Sequence, residues 1–426
     1  MTLYFSKGSS DTVITDLEFS EILAAVYADL GAHERVLIVP PDYTRYHSKA
    51  GVLTRVTYEH FGERVTDILP ALGTHQPMSE EQIADMYAGV PSDLFREHRW
   101  RDDVVTVGEV PEQFVHEVTE GVWRKAWPVQ MNKLIWEGGH DLVVSIGQVV
   151  PHEVMGMANY NKNIFVGTGG KDGINESHFI GAAYGMERMM GKANTPLRKI
   201  LNEGERLFCD NIPLLYILTV IGSDDAGELV TRGLFIGDDP ECFEAAAALS
   251  VEVNFTTLDR PLKKVVVSLP EDEFHSTWLG NKSIYRTRMA IADEGELIVL
   301  APGITSFGED ETIDGLIRKY GYRTTGEVMA AVEANADLQE NLSAAAHLIH
   351  GSTENRFSVT YCPGGLSREE IEGVGYEYGE LEKVMHQYDP AQLKEGWNTV
   401  GGEEIYYISN PALGLWASAE QLAQEA

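Results

Sequence analysis

Short apolar runs that stop at a proline or glycine and then release polar residues recur along the first half of the chain. Arg35-Val-Leu-Ile-Val39 is followed at once by Pro40-Pro41-Asp42-Tyr43-Thr44-Arg45-Tyr46-His47. Val65-Thr-Asp-Ile-Leu-Pro-Ala-Leu72 delivers Gly73-Thr74-His75-Gln76-Pro77-Met78, and Asp141-Leu-Val-Val-Ser-Ile146 leads to Pro151-His152. Unbroken apolar runs of this length read as buried strands, and a proline ends ladder pairing. Helical spacing fills the intervals: Glu18 to Leu30 with Gly31 as the stop, and a helix opened by the capping signal Ser79-Glu-Glu-Gln82. Strand and helix alternate, which predicts an α/β fold with a mostly parallel sheet.

The same reading continues to the end. Ala182 to Leu201 is predicted as one helix whose methionines (Met186, Met189, Met190) pack in the core. Leu214 to Ile221 and Leu229 to Ile236 are strands joined by a Gly222–Gly227 connection, and Pro240 to Ser250 is an Ala-rich helix. Leu258-Asp-Arg-Pro261 marks a boundary between an N-terminal domain, 1–257, and a C-terminal domain, 262–426. The second unit reads as strand Lys264–Ser268, helix Ser283–Ala292, and strands Glu296–Pro302, Arg356–Tyr361 and Glu404–Ile408. Its last residues, 417–426, read as a frayed helix. The fold class expected is therefore two α/β domains, with the active site in the interdomain cleft.

At 426 residues the chain is too long for one ordinary core, so two domains are expected. A formal net charge of −33 disfavours nucleic acid and anionic membranes as partners, and requires a local cationic pocket for any anionic substrate. The N-terminus has no long apolar run, so neither signal nor transit peptide is expected, and no stretch approaches a membrane span. Three widely spaced cysteines, Cys209, Cys242 and Cys362, form no CxxC and suit structural roles in a reducing cytoplasm. The sequence leaves the oligomeric state open.

Parallel strands bring their carboxyl ends together, and ligands bind there in open α/β sheets. Asp42, Arg45, His75 and His152 fall just beyond such ends. Read singly, Asp42 is a helix cap, Arg45 a surface cation and His75 a junction residue; gathered, they are a candidate reaction centre. Lys162 follows in a polar Asn-Tyr-Asn-Lys-Asn stretch, and then come the turn Gly167-Thr-Gly169-Gly170 and His178. The turn is a candidate backbone cradle for an anion. No phosphate-binding G-x-x-x-x-G-K-[ST], no complete G-x-G-x-x-G and no H-E-x-x-H occurs; His152-Glu153 lacks the second histidine. His98, His116 and His140 read as surface or packing residues.

Asp42-x-Thr44-Arg45, Gly73-Thr-His75-x-Pro-Met78, Pro151-His152, Lys162 and His178 together resemble the nickel-pincer nucleotide-dependent lactate racemases and their homologues. The resemblance covers the first ~250 residues well and the C-terminal half in outline. It implies a racemase or epimerase that inverts the C2 carbinol of a 2-hydroxy acid by hydride transfer through a 2-keto acid. It implies Lys162 as covalent anchor of the cofactor, a pyridinium mononucleotide with two sulfur-bearing substituents, and His178 as nickel ligand. It implies His75 and His152 as acid/base pair, Asp42 and Arg45 as part of the substrate or cofactor clamp, and Gly167, Gly169 and Gly170 facing the nucleotide phosphate. Enzymes that synthesise the cofactor become implied partners.

Two departures point to the substrate. Amide side chains stand where these racemases tend to carry glycines before the lysine. Lys282, Arg286 and Arg288 stand where the family has a Tyr-Gln-…-Lys substrate helix. Arginines suit a carboxylate and amides suit extra hydroxyls, which predicts a sugar acid such as gluconate, with lactate as rival. From a different class, the histidines would serve a divalent-metal hydrolase or lyase, or a non-catalytic sugar-acid binder.

Overall fold

A computed structural model describes residues 2–224 and 227–424. The chain divides into two compact units, Met1–Ile180 with Met190–Asn254, and Gly181–Met189 with Phe255–Ala426. The short segment Gly181–Met189 thus packs with the second unit although the sequence reading runs it within the first.

The first unit is built on a six-stranded sheet. From edge to edge the strands are Leu3–Gly8, Leu229–Gly237, Leu214–Ser223, Leu142–Gln148, Val36–Val39 and Val65–Ile68. The last four are mutually parallel and the first two add antiparallel hairpin partners. The parallel strands carry unbroken apolar stretches because both faces are covered. On one face the helices Asp16–Leu30 and Ala50–Phe61 bury Phe19, Leu23, Tyr27 and Leu53 against Ile38, Val144 and Ile217. The first of these helices starts at Asp16, two residues before the expected Glu18, behind a reciprocal capping box of Thr15 and Glu18, and the expected box of Ser79 and Gln82 opens Glu80–Met86.

The order matters for the site. From Val36–Val39 the chain moves outward to Val65–Ile68, then returns to lay Leu142–Gln148 on the opposite side. The gap between the ends of Val36–Val39 and Leu142–Gln148 is therefore a topological switch point, where open α/β sheets form ligand crevices.

The second unit holds another six-stranded sheet, ordered Glu377–Tyr378, Phe357–Pro363, Ile291–Ala301, Leu262–Ser268, Glu403–Ile408 and Gly396–Val400. All neighbours are parallel except the last pair. Strand Leu415–Ser418 pairs with Phe255–Leu258, and helix Ala419–Gln424 follows; residues 425 and 426 of the expected frayed helix lie outside the described ones. No helix of the described residues is long and apolar enough to cross a membrane. The three cysteines are free and buried, and burial pushes each thiol up to about 12.

Three expectations need correction. The single helix Ala182–Leu201 is three: Lys171–Tyr184, Met186–Met189 and Pro196–Phe208. Gly185 (φ 110°) and Gly191 (φ 79°) take backbone conformations that interrupt a helix, and Pro196 opens a new one behind the cap Thr195. The three methionines are buried as expected. The helix Ser283–Ala292 is only Lys282–Tyr285, because strand Ile291–Ala301 takes over the chain. The strand predicted for Val65–Leu72 ends at Ile68, although Leu69 and Ala71 still bond to carbonyls of Ile38 and Pro40.

Candidate active site

All the residues read from the first-half motifs lie in the first unit, on segments leaving the parallel strands. Asp42 follows Val36–Val39. Its buried carboxylate accepts from the Thr44 hydroxyl at 2.5 Å and from His75 Nδ1–H at 2.6 Å. Burial alone would push this carboxyl up, but the bond and charge of His75, the Thr44 hydroxyl and Arg45 outweigh it and hold it below the usual carboxylate range. An ionised Asp42 fixes the proton of neutral His75 on Nδ1, which leaves the Nε2 lone pair facing outward. The His75 side chain is 48% exposed, so that nitrogen can meet a ligand. Gly73, in the turn before it, donates its N–H to Gly167 O at 2.7 Å, which ties this strand tip to the segment that carries Lys162.

His152 lies beyond Leu142–Gln148, in a two-residue ladder with Gly156–Met157. The ring is buried, and its Nδ1 accepts from Val154 N–H at 3.1 Å. Glu153 Oε2 lies 3.7 Å from the same nitrogen.

Lys162 sits where the backbone is least ordinary. Asn159 (φ 64°) and Tyr160 (φ 58°) both take left-handed conformations that are uncommon for residues with a side chain. A π-helical turn, Asn163–Gly167, follows, closed by Thr168 N–H to Asn163 O at 3.0 Å. Such turns are rare and concentrate at functional sites. Asn163 Nδ2 donates to Val39 O at 3.1 Å and to Ser145 Oγ at 3.0 Å, so the segment bridges the two strands that flank the switch point. The Lys162 amine is pushed down to about 8, by burial first, with Arg45 and Arg198 adding and Glu153 and Asp42 opposing. His178, on helix Lys171–Tyr184, donates Nδ1–H to Ile174 O at 2.7 Å, which leaves Nε2 as the acceptor nitrogen. Its ring is held below the usual imidazole range by burial first and by the charges of Lys162 and His75, against the Ile174 bond and Glu153. Charge coupling of this kind fades within about 10 Å in salt solution, so His178, Lys162, Glu153, His75, Asp42 and Arg45 share one neighbourhood.

Two of the amides around Lys162, Asn161 and Asn163, are held by internal partners. Asn161 donates to Asn202 Oδ1 (2.7 Å) and Glu205 Oε2 (2.8 Å) and accepts from Arg198 Nη1 (2.5 Å), while Asn163 is the strand bridge. Arg198 also donates to Asn159 O (3.2 Å) and Met157 O (2.8 Å), with its guanidinium 4.2 Å from the centre of the Phe243 ring. It straps down the strained segment. Nothing local in the sequence marks it, since it lies far from Lys162 along the chain. Replacing Arg198 by Ala removes three charged hydrogen bonds at once and leaves two buried carbonyls without a donor. The expected cost is about 3 kcal/mol, read as a drop in the urea midpoint at constant m-value. A midpoint unchanged from wild type would mean that the strap carries no stability.

The turn Gly167–Gly170 departs from expectation. It is buried, and its Thr168 and Gly169 N–H groups bond within the turn to Asn163 O and Val166 O. Its glycines answer close packing: a Cβ on Gly169 would lie 1.9 Å from Phe165 O, and one on Gly167 2.8 Å from Ala71 Cβ. His98 donates Nε2–H to Gly169 O at 3.1 Å and accepts from Asn132 at Nδ1, so it packs the turn from behind.

Lys282, Arg286 and Arg288 lie in the second unit. Lys282 Nζ stands 5.5 Å from the Phe274 ring centre. Arg286 is 1% exposed and donates to Gly414 O at 3.3 Å, and Arg288 is 3% exposed and pairs with Glu187 at 2.6 Å. Arg288 thus holds an internal carboxylate, whereas the sequence reading gives it to a substrate carboxylate.

Residues 22–189 match the model of the lactate racemase N-terminal domain family. No curated protein matches the chain. Among solved structures, a structural-genomics protein from Thermotoga maritima superposes with a TM-score of 0.81 at 23% identity, over 95% of this chain and 98% of its own. The lactate racemase apoprotein from Thermoanaerobacterium thermosaccharolyticum superposes with a TM-score of 0.68 at 15% identity, over 96% and 93%. At these identities the likeness establishes the fold. The family model spans the whole run from Asp42 to His178, so the region that carries the candidate site is the part of the chain similar to the lactate racemase N-terminal domain.

Proposed function

We propose that the protein is a racemase or epimerase of a 2-hydroxy acid that works with a nickel-pincer nucleotide anchored on Lys162. One observation carries the reading: an amine pushed down to about 8 stands in the same neighbourhood as a neutral imidazole whose Nε2 is left as acceptor. A lysine held near neutrality supplies the free amine that a covalent bond needs. An imidazole oriented through its other nitrogen is what a metal ligand requires. Among the described residues, no three His, Cys, Asp or Glu side chains are grouped to hold a metal. Imidazole and sulfur donors suit nickel, and a pincer with two sulfur donors would supply ligands beside His178.

When bound, the cofactor supplies an electrophilic centre that takes hydride from C2 and returns it. The chain's own groups handle the proton and the charge. His75, oriented by Asp42, takes the hydroxyl proton at Nε2 as the carbinol becomes a ketone, and His152 is its counterpart on the other face. Arg45 is the cation proposed for the substrate carboxylate or the cofactor, as a chain with net charge −33 needs local positive charge to hold an anion.

Asn161, Asn163 and Arg288 are held by internal partners, so the substrate class is kept at 2-hydroxy acids, with gluconate and lactate as the two to compare. The protein is produced together with the cofactor-synthesis enzymes, and its mass is measured before each acid is followed by NMR and polarimetry. The expected result is an adduct of several hundred daltons on Lys162 and inversion at C2 of one acid. An adduct-bearing protein that inverts neither of these nor any other 2-hydroxy acid would end the racemase reading.

A further inference from the structure

The two acid/base histidines are held in opposite ways. Asp42 can only accept, so neutral His75 carries its proton on Nδ1 and offers Nε2 as a base. A backbone N–H can only donate, so the bond from Val154 leaves His152 with a lone pair on Nδ1 and its proton on Nε2. In that state His152 is no base at Nε2, and giving up its Nε2 proton would leave an imidazolate. It becomes a competent acid only as the imidazolium, and a competent base only with the proton on Nδ1. Both forms place an Nδ1–H against Val154 N–H, donor against donor, and need another acceptor. Glu153 Oε2 is 3.7 Å from that nitrogen, beyond hydrogen-bond range but within a small side-chain movement of it. The Glu153 charge also acts on Lys162 and His178, which places it inside the site.

We propose that Glu153 is a positioning residue for His152, whose carboxylate takes over Nδ1–H from the Val154 contact whenever His152 is protonated there, as Asp42 does permanently for His75. The proposal rests on the racemase reading. In one direction the substrate O–H proton passes to His75 Nε2, the C2 hydrogen leaves and returns as hydride, and His152 Nε2–H protonates the carbonyl oxygen. His75 ends with one proton more and His152 with one fewer, its remaining proton on Nδ1 against Glu153. In the other direction that Nδ1–H form is the base. Solvent resets the pair between turnovers.

The test compares Glu153→Gln and Glu153→Asp with wild type. In cofactor-loaded enzyme, Glu153→Gln is expected to lower kcat about 10- to 100-fold in both directions, with KM within twofold, because the amide cannot balance an imidazolium. Glu153→Asp is expected to restore most of it. A second reading needs no cofactor: nitrogen-15 NMR of the unloaded protein. At neutral pH it should show His75 protonated on Nδ1 and His152 on Nε2. At pH 5 a downfield His152 Nδ1–H resonance should appear in wild type and be absent in Glu153→Gln. A wild-type kcat in Glu153→Gln, a raised KM alone, or the same Nδ1–H resonance in the variant overturns the proposal. If loaded wild type inverts no 2-hydroxy acid, the racemase reading fails, while the NMR comparison still decides the Glu153–His152 pairing.

Discussion

Lys162→Ala is expected to carry no cofactor mass and to show no turnover, while folding as wild type does. The reason is the amine itself. At about 8, roughly a quarter of it is neutral at pH 7.5, against about one part in a thousand for an ordinary lysine. Only the neutral form is a nucleophile, so attachment should quicken as pH rises through 8 and level off above it. Lys162→Arg is the informative control, since it keeps a cation beside Asp42 and Glu153 but cannot form the bond. Intact-protein mass spectrometry after co-production checks both variants. Removing a desolvated ammonium relieves a cost of folding, so the loss of activity in Lys162→Ala should come without a loss of melting temperature. A loaded mass in Lys162→Ala would move the anchor elsewhere and remove the central proposal.

The second large effect is expected from the histidines. His75→Ala and His152→Ala should each keep the adduct and lose about 10²- to 10⁴-fold in kcat, the usual contribution of a positioned acid or base. Asp42→Asn should approach His75→Ala, because an amide can offer its N–H to Nδ1 and hold the proton on the wrong nitrogen. Steady-state inversion measured by NMR on protein of verified mass checks all three. Full activity in His152→Ala would defeat the assignment of a base to each face.

Much of this site was legible because strand ends are legible. Val36–Val39 is apolar throughout, Val65–Ile68 and Leu142–Gln148 are mostly so, and a proline soon after each marks where the strand lets go. Parallel pairing sets the three strand ends side by side, and Asp42 and His75 meet there. What stayed hidden depends on partners distant in sequence. The asparagines near Lys162 look like groups waiting for hydroxyls until Arg198, Glu205 and Ser145 claim them. Arg288 looks like a carboxylate clamp until Glu187, distant in sequence, pairs with it. The glycine turn looks like an anion cradle, since composition alone does not separate a glycine that exposes N–H groups from one that admits a neighbour's backbone. Glu153 stands beside His152 in the sequence with no motif to mark it; the bond from Val154 to His152 gives it meaning.

The amide of Asn163, joined to Val39 and Ser145, has a consequence for engineering. The neighbouring lysine is indexed to the framework of the sheet, although its own backbone is irregular. Residues 147–181 transplanted as a cassette would arrive without either docking point, and the reactive amine would lose its bearing. Recombination with a relative would have to exchange the two strand ends together with the cassette, making those three stretches one inheritable part.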